Sequence, residues 1–206
     1  YAHRNEDGSV ARIPDSLTTV FHTAAGREVR DGGGVSPDIE VKQERLPNIL
    51  FYLVRDNLIF DYATDYCLKH PAIASAKEFE LTDADYEEFK NKVKGADFKY
   101  DQQSEKILNT LKEAAEFEGY MKDASDEFKA LENKLKHNLD RDLDYFSKDI
   151  KKMIAEEIIK RYYYQEGAII QQLKDDKDLD EAVKVLTNPE RYQQILSVTA
   201  VTAKKE

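Results

Sequence analysis

The sequence predicts a mostly α fold, a multi-helix C-terminal module with a short β-hairpin and strand remnant at its N-terminus. Three observations carry that prediction. From Asn48 onward, apolar residues return every three or four positions, the period of a helix with a buried stripe. Boundary residues punctuate this pattern: Pro47, Pro71 and Pro189, Gly95 and Gly119, and a Leu-Thr-Asp-Ala-Asp-Tyr start at 81–86. Ahead of it, five of the eight glycines lie at or before Gly34, three of them consecutive, among β-prone residues. The division follows as 1–43 for the β-rich part and 44–206 for the helical domain.

The elements follow in chain order. Glu6-Asp7-Gly8-Ser9 reads as a hairpin turn within the polar stretch 1–13. Strand-forming residues then run over Thr18–Thr23, Arg27–Val29 and Ile39–Val41, joined by an Ala-Ala-Gly turn and a glycine-braced crossing that ends at Pro37. Pro47 opens a helix from Asn48 to Cys67 that is apolar on nearly every side, so other helices should wrap it as the centre of the module. Thr82 can cap the next helix, with Asp85 at the capping-box position and Leu81 stapled onto Tyr86. A helix over 104–117 places Ile107, Leu108, Leu111, Ala114 and Ala115 on one side. The pattern over 126–174 is too long for one unbroken helix, and His137-Asn138-Leu139-Asp140-Arg141-Asp142 is the expected break, because Asn and Asp favour caps. A short helical pair, 179–186 and 189–196, closes the fold, and Val198 onward reads as frayed.

Gly26-Arg27, then Asp31-Gly32-Gly33-Gly34-Val35, then Pro37-Asp38-Ile39 resembles the closing signature of the catalytic core in C-terminal processing peptidases, the tail-specific proteases. Arg161-Tyr162-Tyr163-Tyr164-Gln165 and its flanks are similar to the helical tail of long members from Bacteroides-like bacteria. The resemblance implies a parent with a serine nucleophile, a lysine base and a PDZ module, all upstream of the signature. It makes residues 1–43 the last edge of that catalytic core. The expected partners are the upstream core and PDZ module, protein substrates and a second copy of the chain. The implied location is the cell envelope or periplasm. Gly26, Arg27, Asp31, Gly32, Gly33, Gly34, Pro37 and Asp38 are then structural, and the chain alone is expected to be inactive.

Composition narrows the rest. The net charge of −10 disfavours nucleic acid, and residues 44–206 carry −8 of it. No apolar run approaches the ~20 residues of a membrane span. The single cysteine, Cys67, excludes an internal disulfide and reads as a buried inert thiol.

Asp140-Arg141-Asp142-Leu143-Asp144 and Asp176-Lys177-Asp178-Leu179-Asp180 begin like calcium loops. Both lack the Gly at position six and the Glu at position twelve. The histidines at 3, 22, 70 and 137 stand apart, so no metal and no cofactor is expected. A Ser36–His22–Asp38 triad can be drawn, but nothing like a nucleophile elbow surrounds Ser36. Arg161, Tyr162, Tyr163 and Tyr164 form a candidate interface, since Tyr and Arg are enriched at binding hot spots. The competing reading is a core stripe whose tyrosine hydroxyls reach water.

The expected function is a structural, substrate-gating or self-association segment of a serine peptidase that trims exported proteins near their C-termini. The alternative is a free-standing helical adaptor for other proteins. A Gly-Lys-Gly-like segment encoded within about forty residues ahead of Tyr1 would favour the first.

Overall fold

The structure, a computed structural model, describes residues 13, 15–24, 26–31, 37–42 and 45–197. Among them are nine α-helices and one two-stranded antiparallel sheet. Residues 44–174 make one compact unit, and the hairpin and the two last helices fall outside it.

In the hairpin, β1 (Val20–His22) pairs with β2 (Glu28–Arg30), with Phe21 opposite Val29. The third expected strand, 39–41, does not form. Extended residues need a ladder partner, and this segment is instead fixed at Asp38 by an ion pair with Arg27. The expected turn at 6–9 and the frayed end from Val198 lie outside the described residues.

The apolar stretch after Pro47 is two helices rather than one. α1 (Asn48–Arg55) and α2 (Leu58–Lys69) meet at Asn57, whose φ of 59° puts it in the left-handed region. Asparagine tolerates that conformation better than most residues. The pair is also not wrapped on every side, because Phe51, Val54, Phe60 and Leu68 face outward. Its inner face does form the centre of the unit. Ile49, Leu50 and Leu53 of α1 join Leu58, Ile59, Tyr62 and Ala63 of α2 in the core.

α3 (Asp83–Gly95) starts with the capping box that Leu81–Tyr86 announced. The Asp85 amide donates to Thr82 Oγ1 (3.2 Å), and the Thr82 amide donates back to the Asp85 carboxylate (3.2 Å). Tyr86, Phe89 and Val93 are its buried face. α4 (Gln103–Phe117) pairs with α5 (Ser125–Leu135) after Gly119, whose φ of 85° makes the turn. Only part of the expected α4 stripe is covered: Leu108 and Ala115 are buried, while Ile107 and Leu111 stay exposed.

The long pattern breaks where Asn138 was expected to break it. Asn138 Oδ1 accepts from the Arg141 amide (3.0 Å), capping α6 (Leu139–Tyr145). α7 (Ser147–Gln172) lays Ile150, Ile154, Ala155, Ile158 and Ile159 in the core it shares with α2 and α6. It is not straight: Tyr164, at φ 53° and ψ −150°, turns a sharp corner inside it. Outside the compact unit, α8 (Lys177–Leu186) and α9 (Pro189–Leu196) form a helical hairpin, with Asp176 and Asn188 as their caps.

Candidate functional site

The glycine-arginine turn is held by local bonds. The Gly26 amide donates to the Thr23 carbonyl (2.8 Å), and Gly26 takes φ 81°, a conformation that only glycine adopts at no steric cost. The Arg27 amide donates to Thr23 Oγ1 (3.1 Å), which squares the turn. The Arg27 guanidinium pairs with the Asp38 carboxylate, tying the hairpin to the Pro37-Asp38 exit. Asp31 closes the other end of the hairpin, its carboxylate accepting from the Thr19 amide (2.6 Å). Gly26, Arg27, Asp31 and Asp38 thus each make a local contact within the hairpin or between it and its exit. Gly32, Gly33 and Gly34 lie outside the described residues, as does Ser36 of the drawn triad. Arg27 Nε is shielded from solvent and meets no acceptor among the described residues.

The Arg161–Tyr164 run divides in two. Arg161 stacks its guanidinium over the Phe60 ring, 4.6 Å from the centroid, and donates to the Phe60 carbonyl (3.1 Å) and to Glu157 Oε1 (2.8 Å). The Tyr162 hydroxyl donates to the His70 carbonyl, and the Tyr163 hydroxyl to that of Ala74 (3.0 Å). These hydroxyls therefore satisfy one carbonyl at the cap of α2, where a helix leaves acceptors unpaired, and one in the connector that follows. Burial pushes the Tyr162 phenol up to about 12. Tyr164 projects furthest outward, 78% exposed, from the corner of α7.

A buried polar cluster escaped sequence reasoning. Asp142 in α6 is 3% exposed and accepts from the Tyr100 hydroxyl, from Gln102 Nε2 (2.9 Å) and from its neighbour Arg141 (3.0 Å). His137 sets its ring edge-on to Tyr100, 4.6 Å between centroids. Burial, reinforced by Asp142, raises the Tyr100 pKa well above the ordinary phenol value. The flanking acids are also taken: Asp144 pairs with Lys90 (2.7 Å) and Asp140 with Lys94. The sequence does contain one signal of this. Lys90 and Lys94, one turn apart on α3, match the spacing of the two outer aspartates.

That pairing explains the calcium-like run as helix-to-helix glue, and Asp176 is spent capping α8. Among the described residues no group of three or more His, Cys, Asp or Glu is arranged to hold a metal ion. His70 stacks on Tyr66, and half-buried Cys67 packs against the core. A shallow groove of about 260 Å³ between α4 and α5 is lined by Leu108, Asn109, Glu132 and Lys136, among others. None of these places brings a nucleophile, a base and an oxyanion donor together.

The model of the family described as "Probable PDZ-protease, C-terminal helical domain" matches residues 49–186. The chain belongs to this family. No curated protein and no solved structure matches it. The matched region of this PDZ-protease helical domain runs from α1 to the end of α8, so it contains both the Asp142 cluster and the Arg161–Tyr164 run. The hairpin with its glycine-arginine turn precedes it. The chain is accordingly a protease-associated helical module. No helix among its described residues is long and apolar enough to cross a membrane.

Proposed function

We propose that this PDZ-protease helical domain serves a serine-type peptidase that cuts exported proteins near their C-termini, and that it contributes structure rather than chemistry. The family match carries the reading. The resemblance of the Gly26–Asp38 segment supports the finer part, and Arg27 and Asp38, the two charged members of its ends, pair with each other. In the parent, the hairpin adds to the edge of the catalytic sheet, where an acceptor on the core would meet Arg27 Nε, which has no acceptor among the described residues. The helical unit then stands beside the substrate entrance in the cell envelope, supporting the core and limiting what reaches it.

The test is a cleavage assay on the parent and on this chain, using unfolded proteins that differ only in their C-terminal residues. The parent is expected to discriminate between these tails, and to lose activity when its nucleophilic serine is replaced. The purified chain is expected to release no product. Turnover by the chain, or a parent indifferent to the tail, would overturn the proposal.

A further inference from the structure

The sharp corner in α7 points to a second copy of this chain as a partner. The two arms of α7, 147–163 and 165–172, meet at Tyr164 with no connecting loop. They fold back on each other: Gln172 Nε2 donates to Glu156 Oε1 (2.7 Å), although the two residues would be roughly 24 Å apart along a straight helix. The crossing is close. A methyl group on Gly167 would collide with the Cβ of Tyr163 and lie 2.8 Å from Cγ2 of Ile159. The short arm also buries Ala168 and Gln171, and beyond it Lys174 Nζ reaches the Phe79 carbonyl (2.9 Å).

Local sequence and observed path conflict at this corner. Tyr162-Tyr163-Tyr164-Gln165-Glu166 contains no Gly, Asn or Pro, and every residue in it is compatible with a continuous helix. Tyr164 nevertheless holds a positive φ with an extended ψ, a region populated almost only by glycine. Straightening α7 would remove that strain, but it would uncover the surface on which Gly167, Ala168 and Gln171 now rest. The piece shaped to cover that surface again is the same arm of another molecule.

We infer that the chain dimerises by exchange: α7 straightens through Tyr164, and each copy docks its 165–172 arm onto the 147–163 arm of the other. Strained connections of minimal length favour such swapping, because the intermolecular contacts repeat the intramolecular ones while the strain is lost. This holds whatever the chemistry of the parent protease.

The experiment uses the full 206-residue chain with Cys67→Ala, Glu156→Cys and Gln172→Cys. Isotopically light and heavy samples are unfolded together, refolded over a range of concentrations, and joined with a short bis-maleimide. In exchanged dimers the 156–172 link joins two chains, so light–heavy linked peptides should be as frequent as same-isotope ones. Tyr164→Gly, which relaxes the folded-back corner and weakens the straight helix, should weaken dimerisation on the order of tenfold or more. Gln165→Pro is an independent check, since proline fits the first turn of the short arm but breaks a continuous helix. Three outcomes would overturn the inference: a chain that stays monomeric at every concentration, dimers carrying only same-isotope links, or dimerisation untouched by both substitutions.

Discussion

Asp142 shows how a single carboxylate can tie a helix to a distant connector. It receives bonds from Tyr100 and Gln102, some forty residues earlier, and from Arg141 beside it, in a site closed to solvent. Removing the acceptor strands a phenol and an amide, so Asp142→Ala should cost about 3 kcal/mol in urea unfolding. Tyr100→Phe, which deletes only one donor, should cost about 1 kcal/mol. Equal losses for the two variants would show that the cluster is not centred on the carboxylate. The sequence shows a dense acidic run here, but not which acid is buried, because its donors lie on a distant connector. The same limit applies to Tyr162 and Tyr163, whose hydroxyls could be read as facing water until the carbonyls of His70 and Ala74 are placed beside them. Burial also raises the pKa of the Tyr62, Tyr86 and Tyr100 phenols above the free value of 10.0. The folded state therefore holds these protons more tightly than the unfolded one. The associated stability is complete below pH 10 and is lost as pH rises above it. Asp65, Asp83 and Asp101 shift the other way: bonds to Lys92, Lys151 and Lys106 lower them, so their contribution is lost as pH falls below about 3.8. Those pairs are exposed and screened. Urea midpoints across pH should thus show a steep alkaline limb and a shallow acidic one, and a symmetric profile would contradict this assignment.

Element boundaries were legible wherever a side chain makes them. Thr82 and Asp85 form their capping box in the structure, and Asn138 breaks the long pattern with its own side chain. Thr82→Ala should cost about 1 kcal/mol, read as a lower unfolding midpoint with an unchanged urea slope. Boundaries made by backbone conformation were harder to see. Asn57 splits α1 from α2 by taking a left-handed φ, and a run of apolar neighbours hid it. The corner at Tyr164 had no local signal, since tertiary packing imposes it on a helix-forming sequence. Two glycines separate these influences. Gly167→Ala would force a Cβ into Tyr163, a contact that no rotamer change relieves, and should destabilise by about 2 kcal/mol. At Gly95, the last residue of α3, a Cβ meets nothing within 4 Å, so Gly95→Ala should stabilise by about 0.5 kcal/mol. Opposite signs in thermal unfolding are the expected result, and a harmless Gly167→Ala would mean that the two arms of α7 are not in contact.

At the scale of the whole molecule, the stabilising interactions are unevenly spread. The connected core draws every residue from between Ile49 and Ile159, on α1, α2, α3, α6, α7 and the connectors between them. The β1–β2 hairpin contributes no buried residue, and neither do α8 and α9. Apolar burial is the main favourable term in folding, so the free energy of folding should reside almost wholly in residues 44–174. A polypeptide restricted to those residues should keep its helical circular dichroism and unfold in one cooperative transition, with a midpoint close to that of the full chain. Limited proteolysis should agree, trimming residues on either side of 44–174 first, because segments with few buried contacts open at low cost. The hairpin's fate in the same digestion bears on its assignment to the protease edge. Its Arg27–Asp38 pair braces a turn but buries no apolar surface, so it should resist cleavage only when the parent's catalytic core is present. A hairpin equally protected in the isolated chain would mean that it already has all the contacts it needs, and the edge-strand role would have to be abandoned.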